Sequence, residues 1–248
     1  MPKLDWLTAR PIAHRGLHDQ RAGIIENTAS AVSAAIEGNY GIEVDLQISA
    51  DGEAMVHHDD RLGRLTEGDG QLAAMTTASL QRVAFKTTTD RMMTLGELCD
   101  LVRGRATLVL EMKSAFDGDR RVARRTVDVL RGYSGAVGVM SFDPDLVAVL
   151  TETAPALARG ITAMGRYDDS EWAPLSSWQK LTFPFLLQSF STRPHFLAFA
   201  LDDLPAPGPT LARRVFGLPL LAWVARSEDD RRHTARTADQ MIFEGFRA

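Results

Sequence analysis

The chain has 248 residues, 45% apolar and 24% charged, with a formal charge of −4 and one cysteine. That apolar fraction excludes a disordered chain, and the lone Cys99 excludes a disulfide framework or a cysteine-rich zinc module. The acidic balance argues against a general nucleic-acid binder, which carries a basic excess.

The N-terminal stretch carries Lys3, Asp5 and Arg10 and no apolar run, so it does not read as a secretory signal. The longest uncharged apolar run, Val215 to Ala225, is too short to span a bilayer and reads as a buried strand with its lead-in. Its neighbours Arg213, Arg214 and Arg226 read as solvated flanks, with peripheral membrane contact the less favoured alternative. The cytoplasm is the expected location, in keeping with a single free thiol.

Short apolar runs alternate with amphipathic stretches along the chain. Strands are predicted at Pro11–His14, Gly41–Ser49, Glu53–His58, Ala106–Lys113 and Ala136–Ser141. Four more are predicted at Ala156–Ile161, Phe196–Leu201, Pro219–Ala225 and Gln240–Phe243. Between them lie helix signals. Asn27 and Thr28 open one helix and Gly38 closes it. Thr94 and Glu97 form a capping box, and Asp143 precedes a proline suited to the first helical position. Ser227 with Asp230 opens the last helix, and Arg120, Arg121, Arg124 and Arg125 form a solvated helix face.

Such alternation predicts βαβ units and a parallel sheet. The strand count exceeds by one what an eight-stranded barrel needs. Asp51-Gly52 resolves the excess, because this dipeptide favours a tight hairpin with positive φ at both turn residues. The expectation is an α/β protein: a TIM-type (β/α)8 barrel with an extra hairpin strand after strand 2. Residues 1–248 then form one domain, with a short insertion at about 60–93. If Asp51 and Gly52 are the turn, Ala50 pairs with Glu53, Gln47 faces Val56, and Asp45 faces His58.

This register has chemical consequences. Residues i and i+2 share a strand face, so Glu43 and Asp45 point together, with His58 beside them and His57 on the other face. Ile42, Val44 and Leu46 form the apolar face that packs on helices. Two carboxylates and an imidazole would be costly in a dry core, so they belong at the barrel mouth, where the active sites of this fold sit. Glu111 and Lys113 share a face at the same end of a neighbouring strand. They form either a structural ion pair or, with Glu43 and Asp45, a hard-cation site suited to Mg²⁺ or Ca²⁺ rather than zinc. His14-Arg15-Gly16 leaves the first strand. Alone it reads as a loop start; with His58 and the carboxylates it suggests metal-assisted phosphoryl chemistry with two histidines.

These segments together resemble the glycerophosphodiester phosphodiesterase family. The resemblance rests on His14-Arg15-Gly16, Glu26-Asn27-Thr28, Glu43-Val44-Asp45, His58-Asp59 and Glu111-Met112-Lys113. Leu62, Arg64, Thr66, Ser141-Phe142 and Trp223 extend it, from about Ile12 to Ala225. The family resemblance implies hydrolysis of a small glycerophosphodiester to glycerol 3-phosphate and an alcohol. It implies His14 and His58 as acid and base, and Glu43, Asp45 and Glu111 as ligands of a divalent cation, Mg²⁺ or Ca²⁺. Arg15 and Lys113 would hold phosphate, with Glu26, Asn27, Asp59 and Trp223 in support.

The chain departs from the family pattern at Ile25, at Trp223-Val224-Ala225-Arg226 and at Asp239–Glu244, which leaves the reaction intact and the substrate less defined. A lysophospholipase-D-like enzyme, with Phe183, Phe185, Leu186 and Leu187 as an apolar surface beside the mouth, is the nearer alternative. A non-catalytic phosphodiester-binding barrel is the other. His18 reads as a surface histidine, Cys99 as structural, Asn27 as a helix cap, and Trp172 and Trp178 as core.

Overall fold

A computed structural model describes residues 4–248. Eight parallel strands close into a barrel: β1 (Ile12–Ala13), β2 (Gly41–Ile48), β4 (Leu108–Met112), β5 (Val137–Ser141), β6 (Ala158–Ala163), β7 (Phe196–Ala200), β8 (Leu220–Ala225) and β9 (Gln240–Phe243). Pairing of β1 with both β2 and β9 closes the ring, and β3 (Ala54–Val56) lies outside it, antiparallel to β2. Helices follow most strands, as expected of a TIM-type barrel.

The pattern of side chains explains the layers. Ile42, Val44, Leu46, Leu108, Leu110 and Met112 point outward and pack against helical residues such as Val32, Leu98 and Val127. Each such burial contributes roughly 1.5–3 kcal/mol. Ile12, Val109, Met140, Phe196, Leu221 and Ile242 point inward and fill the barrel, with Leu4 and Leu7 packed in the same cluster. Phe196 shapes this layer: a Cβ at Gly160 would lie 2.4 Å from its ring. Glycine there makes room for the aromatic side chain.

The helix signals hold at Thr94 with Glu97, at Asp143-Pro144 and at Ser227 with Asp230. One cap is reassigned. Thr28 caps Ala29–Glu37 by accepting from the Ala31 N–H, and Asn27 does not cap it. Cys99 is partly buried in its helix, and burial pushes its thiol up to about 11.

The hairpin register also differs from the expected one. Leu46 lies opposite Val56, Gln47 opposite Met55 and Ile48 opposite Ala54. The loop has three residues, Ala50 to Gly52, because the Ser49 N–H bonds the Glu53 carbonyl and the Ser49 hydroxyl accepts from the Glu53 N–H. Only Gly52, at φ +85°, is left-handed, as in a three-residue hairpin. Asp51 accepts from the backbone and hydroxyl of Thr77 and so ties the hairpin tip to the helix Thr77–Leu80. Residues after the hairpin form a satellite core of Leu62, Leu72, Leu80, Phe85 and Met92 against Ile25 and Met55.

Candidate active site

The carboxylates converge where β2 and β4 run side by side. Asp45 is the lateral neighbour of Glu111, and Glu43 that of Val109. Glu43, Asp45 and Glu111 are all buried, and one carboxylate oxygen from each lies within 4.8 Å of the others. Such a group of hard oxygen donors could hold a metal ion.

Cations bind the rim of this cluster. Lys113 Nζ lies 2.9 Å from Asp45 Oδ1 and 2.5 Å from Glu111 Oε1. Arg15 Nε lies 3.2 Å from Asp45 Oδ2 without forming a hydrogen bond, while its Nη1 donates to Glu26 Oε1 at 2.7 Å. Burial pulls the Asp45 carboxyl upward, but Lys113, Arg15 and the nearby histidines outweigh it and hold the carboxyl well below its usual range. Glu43 goes the other way: burial, Asp45 and Glu111 together raise it well above the usual range. The donor set thus fits a divalent cation, whose charge would let all three carboxylates ionise together.

Two tight loops bring the remaining groups in. His14 and Arg15 leave β1, with the His14 N–H bonded to the Phe243 carbonyl and the Gly16 N–H to the Glu43 carbonyl. Arg15 adopts φ +55°, and its own N–H donates to Glu43 Oε2 at 3.0 Å. Gly16 is required by both conformation and space: its φ is +80°, and a Cβ would lie 2.8 Å from the Ala31 backbone. Asn27, also left-handed at φ +59°, donates its N–H to the Arg15 carbonyl. Its side chain donates to Asp45 Oδ2 at 2.8 Å and accepts from the Asp45 N–H at 3.2 Å. The residue read as a cap is instead a clamp on the central carboxylate.

His14 Nδ1 lies 2.5 Å from Glu244 Oε2. A carboxylate only accepts, so Nδ1 carries the proton and Nε2, 4.0 Å from Glu43 Oε2, is the free ring nitrogen. Burial lowers the His14 pKa more than Glu244 raises it. The hydrogen bond from His14, with the His18 imidazole and the Arg226 guanidinium nearby, holds the Glu244 carboxyl well below its usual range. His18, expected at the surface, has its Nε2 3.7 Å from Glu244 Oε2 and joins this group. Glu244 was not singled out from the sequence as a site residue. Its only signal was its place at the end of the last strand.

The second histidine sits where the hairpin ends. The true register sets His57 opposite Asp45, and the His57 N–H donates to the Asp45 carbonyl. The hairpin reasoning for choosing His58 over His57 therefore fails. The environments still separate them. His57 is buried with its ring edge-on to Phe85, while His58 is half-buried and among the groups that lower Asp45. His58 Nδ1 lies 2.8 Å from Asp59 Oδ1, and Arg64 bridges Asp59 and Glu26. Burial raises the Asp59 carboxyl, but His58 and Arg64 overcome it and hold it low.

The far side of the mouth is aromatic. Phe142 contacts Trp172 at 4.8 Å and Trp223 at 5.6 Å between ring centres. Tyr167, Trp172, Leu175 and Phe183 form a buried cluster against Phe116, Phe142 and Met164. Among the described residues, Trp223 Nε1 is buried without a hydrogen-bond partner. Trp178, expected in the core, is 70% exposed.

The profile of the Glycerophosphoryl diester phosphodiesterase family matches residues 14–245. The chain belongs to that family. A glycerophosphodiester phosphodiesterase of Caldanaerobacter subterraneus subsp. tengcongensis is 29% identical over 160 residues, 60% of this chain and 65% of the relative. Glycerophosphodiester phosphodiesterase 1 of Mus musculus is 26% identical over 162 residues, 61% of this chain and 48% of the relative. The matches thus span less than two thirds of the length of these relatives. Among solved structures, an Oleispira antarctica phosphodiesterase in complex with the product sn-glycerol-3-phosphate aligns with TM-score 0.77 at 21% identity, covering 97% of this chain and 95% of that one. A putative glycerophosphoryl diester phosphodiesterase from Silicibacter pomeroyi aligns with TM-score 0.78 at 22% identity, covering 96% and 90%. Both share the family's barrel. Among the described residues, no helix is long and apolar enough to cross a membrane.

Proposed function

We propose that the chain hydrolyses glycerophosphodiesters to glycerol 3-phosphate and an alcohol, using a divalent cation and two histidines. The observation that carries this reading is the trio Glu43, Asp45 and Glu111, with oxygens within 4.8 Å, in the same mouth as His14, His58, Arg15 and Lys113. Mg²⁺ or Ca²⁺ suits these oxygen donors. When bound, such an ion supplies positive charge to the phosphoryl oxygens.

Arg15 and Lys113 already carry donors at this rim, and the unpaired Arg15 Nε–H is free for a phosphoryl oxygen. His14 is held by Glu244 with Nε2 free, and burial favours its neutral form, so it takes the proton of the attacking oxygen. His58, held by Asp59, gives a proton to the departing alkoxide, an otherwise poor leaving group. Asn27 fixes Asp45, and Glu26 fixes Arg15. Trp223, across the ring from β4, packs against Phe142, which follows β5 beside the Glu111 strand.

Hydrolysis of glycerophosphocholine and glycerophosphoethanolamine, assayed with and without chelator, tests the reading. Release of glycerol 3-phosphate that stops with EDTA and returns with Mg²⁺ or Ca²⁺ is the expected result. Full turnover by metal-free protein would sink the cation, and no turnover with any metal would sink the reaction.

A further inference from the structure

The stretch between β6 and β7 carries an apolar surface that the barrel does not use. Trp178 is 70% exposed, Leu181 61%, Phe185 54%, Leu187 45% and Phe190 81%. Trp178, Leu181, Phe185 and Phe190 sit on three short helical turns, Ser177–Thr182, Phe183–Phe185 and Ser189–Thr192, and Leu187 lies between the last two. Of the four residues expected to form an apolar surface here, Phe183 and Leu186 are buried and anchor the turns, while Phe185 and Leu187 face out. The surface continues onto the helix Pro207–Phe216. Gly208 of that helix approaches the Phe185 backbone so closely that a Cβ would lie 3.1 Å away, and Leu211, Val215 and Phe216 are again exposed. A cavity of about 460 Å³ beside Leu211 and Val215, bordered by Pro205 and Pro207, breaks the surface there.

Charge says what covers this face. The protein is acidic overall, yet residues 172–227 carry five cations, Lys180, Arg193, Arg213, Arg214 and Arg226, against two carboxylates, Asp202 and Asp203. Arg213 is tied to Asp239, but Lys180, Arg193 and Arg214 have no carboxylate within 4.0 Å among the described residues. An apolar patch rimmed by free cations complements an anionic lipid surface. A second copy packed face to face would set like charges against each other.

Position adds to this. The stretch leaves the end of β6 that faces the mouth, and its anchors Trp172 and Phe183 belong to the cluster that holds Phe116 and Phe142, which follow β4 and β5. We propose that the exposed face of residues 178–190, with Leu211, Val215 and Arg214, is a docking surface for an anionic phospholipid bilayer, holding the protein peripherally by this flank of the barrel. The docking is independent of the proposed chemistry, and a soluble headgroup diester remains a suitable substrate.

The test is co-sedimentation of the whole chain with vesicles of equal parts phosphatidylcholine and phosphatidylglycerol, against vesicles of phosphatidylcholine alone, at low and high salt. Binding to the mixed vesicles, weakened by salt, is expected. The double variant Trp178→Ser, Phe190→Ser should lose affinity by about tenfold or more, since it removes the two most exposed aromatic anchors. Lys180→Gln and Arg214→Gln should each lose about fivefold. Circular dichroism and turnover of a water-soluble diester should match the parent for all variants. A parent that ignores both vesicle types overturns the proposal, as do variants that bind as well as the parent. So does a dimer in sedimentation velocity that the double variant dissolves without any vesicle affinity.

Discussion

The two halves of the barrel mouth are built of opposite materials. The half formed by β1, β2, β4 and the hairpin presents His14, Arg15, Glu43, Asp45, His58, Glu111 and Lys113. The half formed by β5 to β8 presents Phe142, Met164, Trp172 and Trp223. Buried charges are tolerated only when neighbours compensate them, so the first half is bound together by ion pairs and by the Asn27 clamp. The second half has few such partners and excludes water by packing rings. Under the proposed function, proton transfer and phosphate handling would fall to one side and substrate seating to the other. Substitutions in the charged half should therefore move kcat, and those in the aromatic half KM.

The largest effect should come from the cation. Chelation is expected to drop diester hydrolysis to background, with recovery on adding Mg²⁺ or Ca²⁺, as read by glycerol 3-phosphate release. His14→Ala and His58→Ala come next, each lowering kcat by about 10²-fold or more, the scale of lost acid–base assistance. His57→Ala is the matched control. It deletes a buried ring beside Phe85, so it should lower the thermal midpoint while leaving most of kcat. A crippled His57→Ala with a normal His58→Ala would redraw the charged half.

Glu244→Gln should cost less, about tenfold in kcat, because the amide oxygen still accepts the His14 Nδ1–H. Its pH profile is the sharper readout. His14 must be neutral to accept a proton, so rate falls on the acid side as it protonates. Burial already sets its pKa below 6.5, and Glu244 opposes that shift. Removing the carboxylate charge therefore moves the acid limb of kcat/KM to lower pH. An unmoved limb would mean that the group titrating there is not His14.

The charged half was legible in the sequence because strand periodicity alone puts Glu43 beside Asp45 and Glu111 beside Lys113. The barrel was legible for the same reason: apolar runs at regular spacing, with one Asp-Gly to account for the surplus strand. What escaped depended on groups far apart in the chain or on a loop one residue longer. Glu244 reaches His14 across 230 positions, a contact made only when β9 closes against β1. Ser49 lengthened the hairpin loop through its own side chain and slid the register, which two turn residues could not reveal. Asn27 has a cap-forming side chain in a cap-like place, and only the fold shows Thr28 capping while Asn27 turns to Asp45. The aromatic half left the weakest trace, since Trp172 and Trp178 look alike in sequence and differ by whether a neighbouring cluster receives them.

The smallest expected effect tests the division most directly. Trp223 stands in the aromatic half, packed edge-on to Phe142, yet its indole Nε1 is buried with no acceptor among the described residues. A buried unpaired donor costs roughly 1–3 kcal/mol, so it is best explained by a ligand atom that satisfies it. Trp223→Phe keeps a six-membered ring against Phe142 and removes that N–H with the rest of the pyrrole ring. If the N–H donates to the bound diester equally in ground and transition states, KM should rise about fivefold, the worth of one neutral hydrogen bond, with kcat unchanged. Titration calorimetry with glycerol 3-phosphate should show the same loss of affinity. A fall in kcat at constant KM would place the N–H in the transition state, and the clean partition of the mouth into a reacting side and a seating side would fail at this residue.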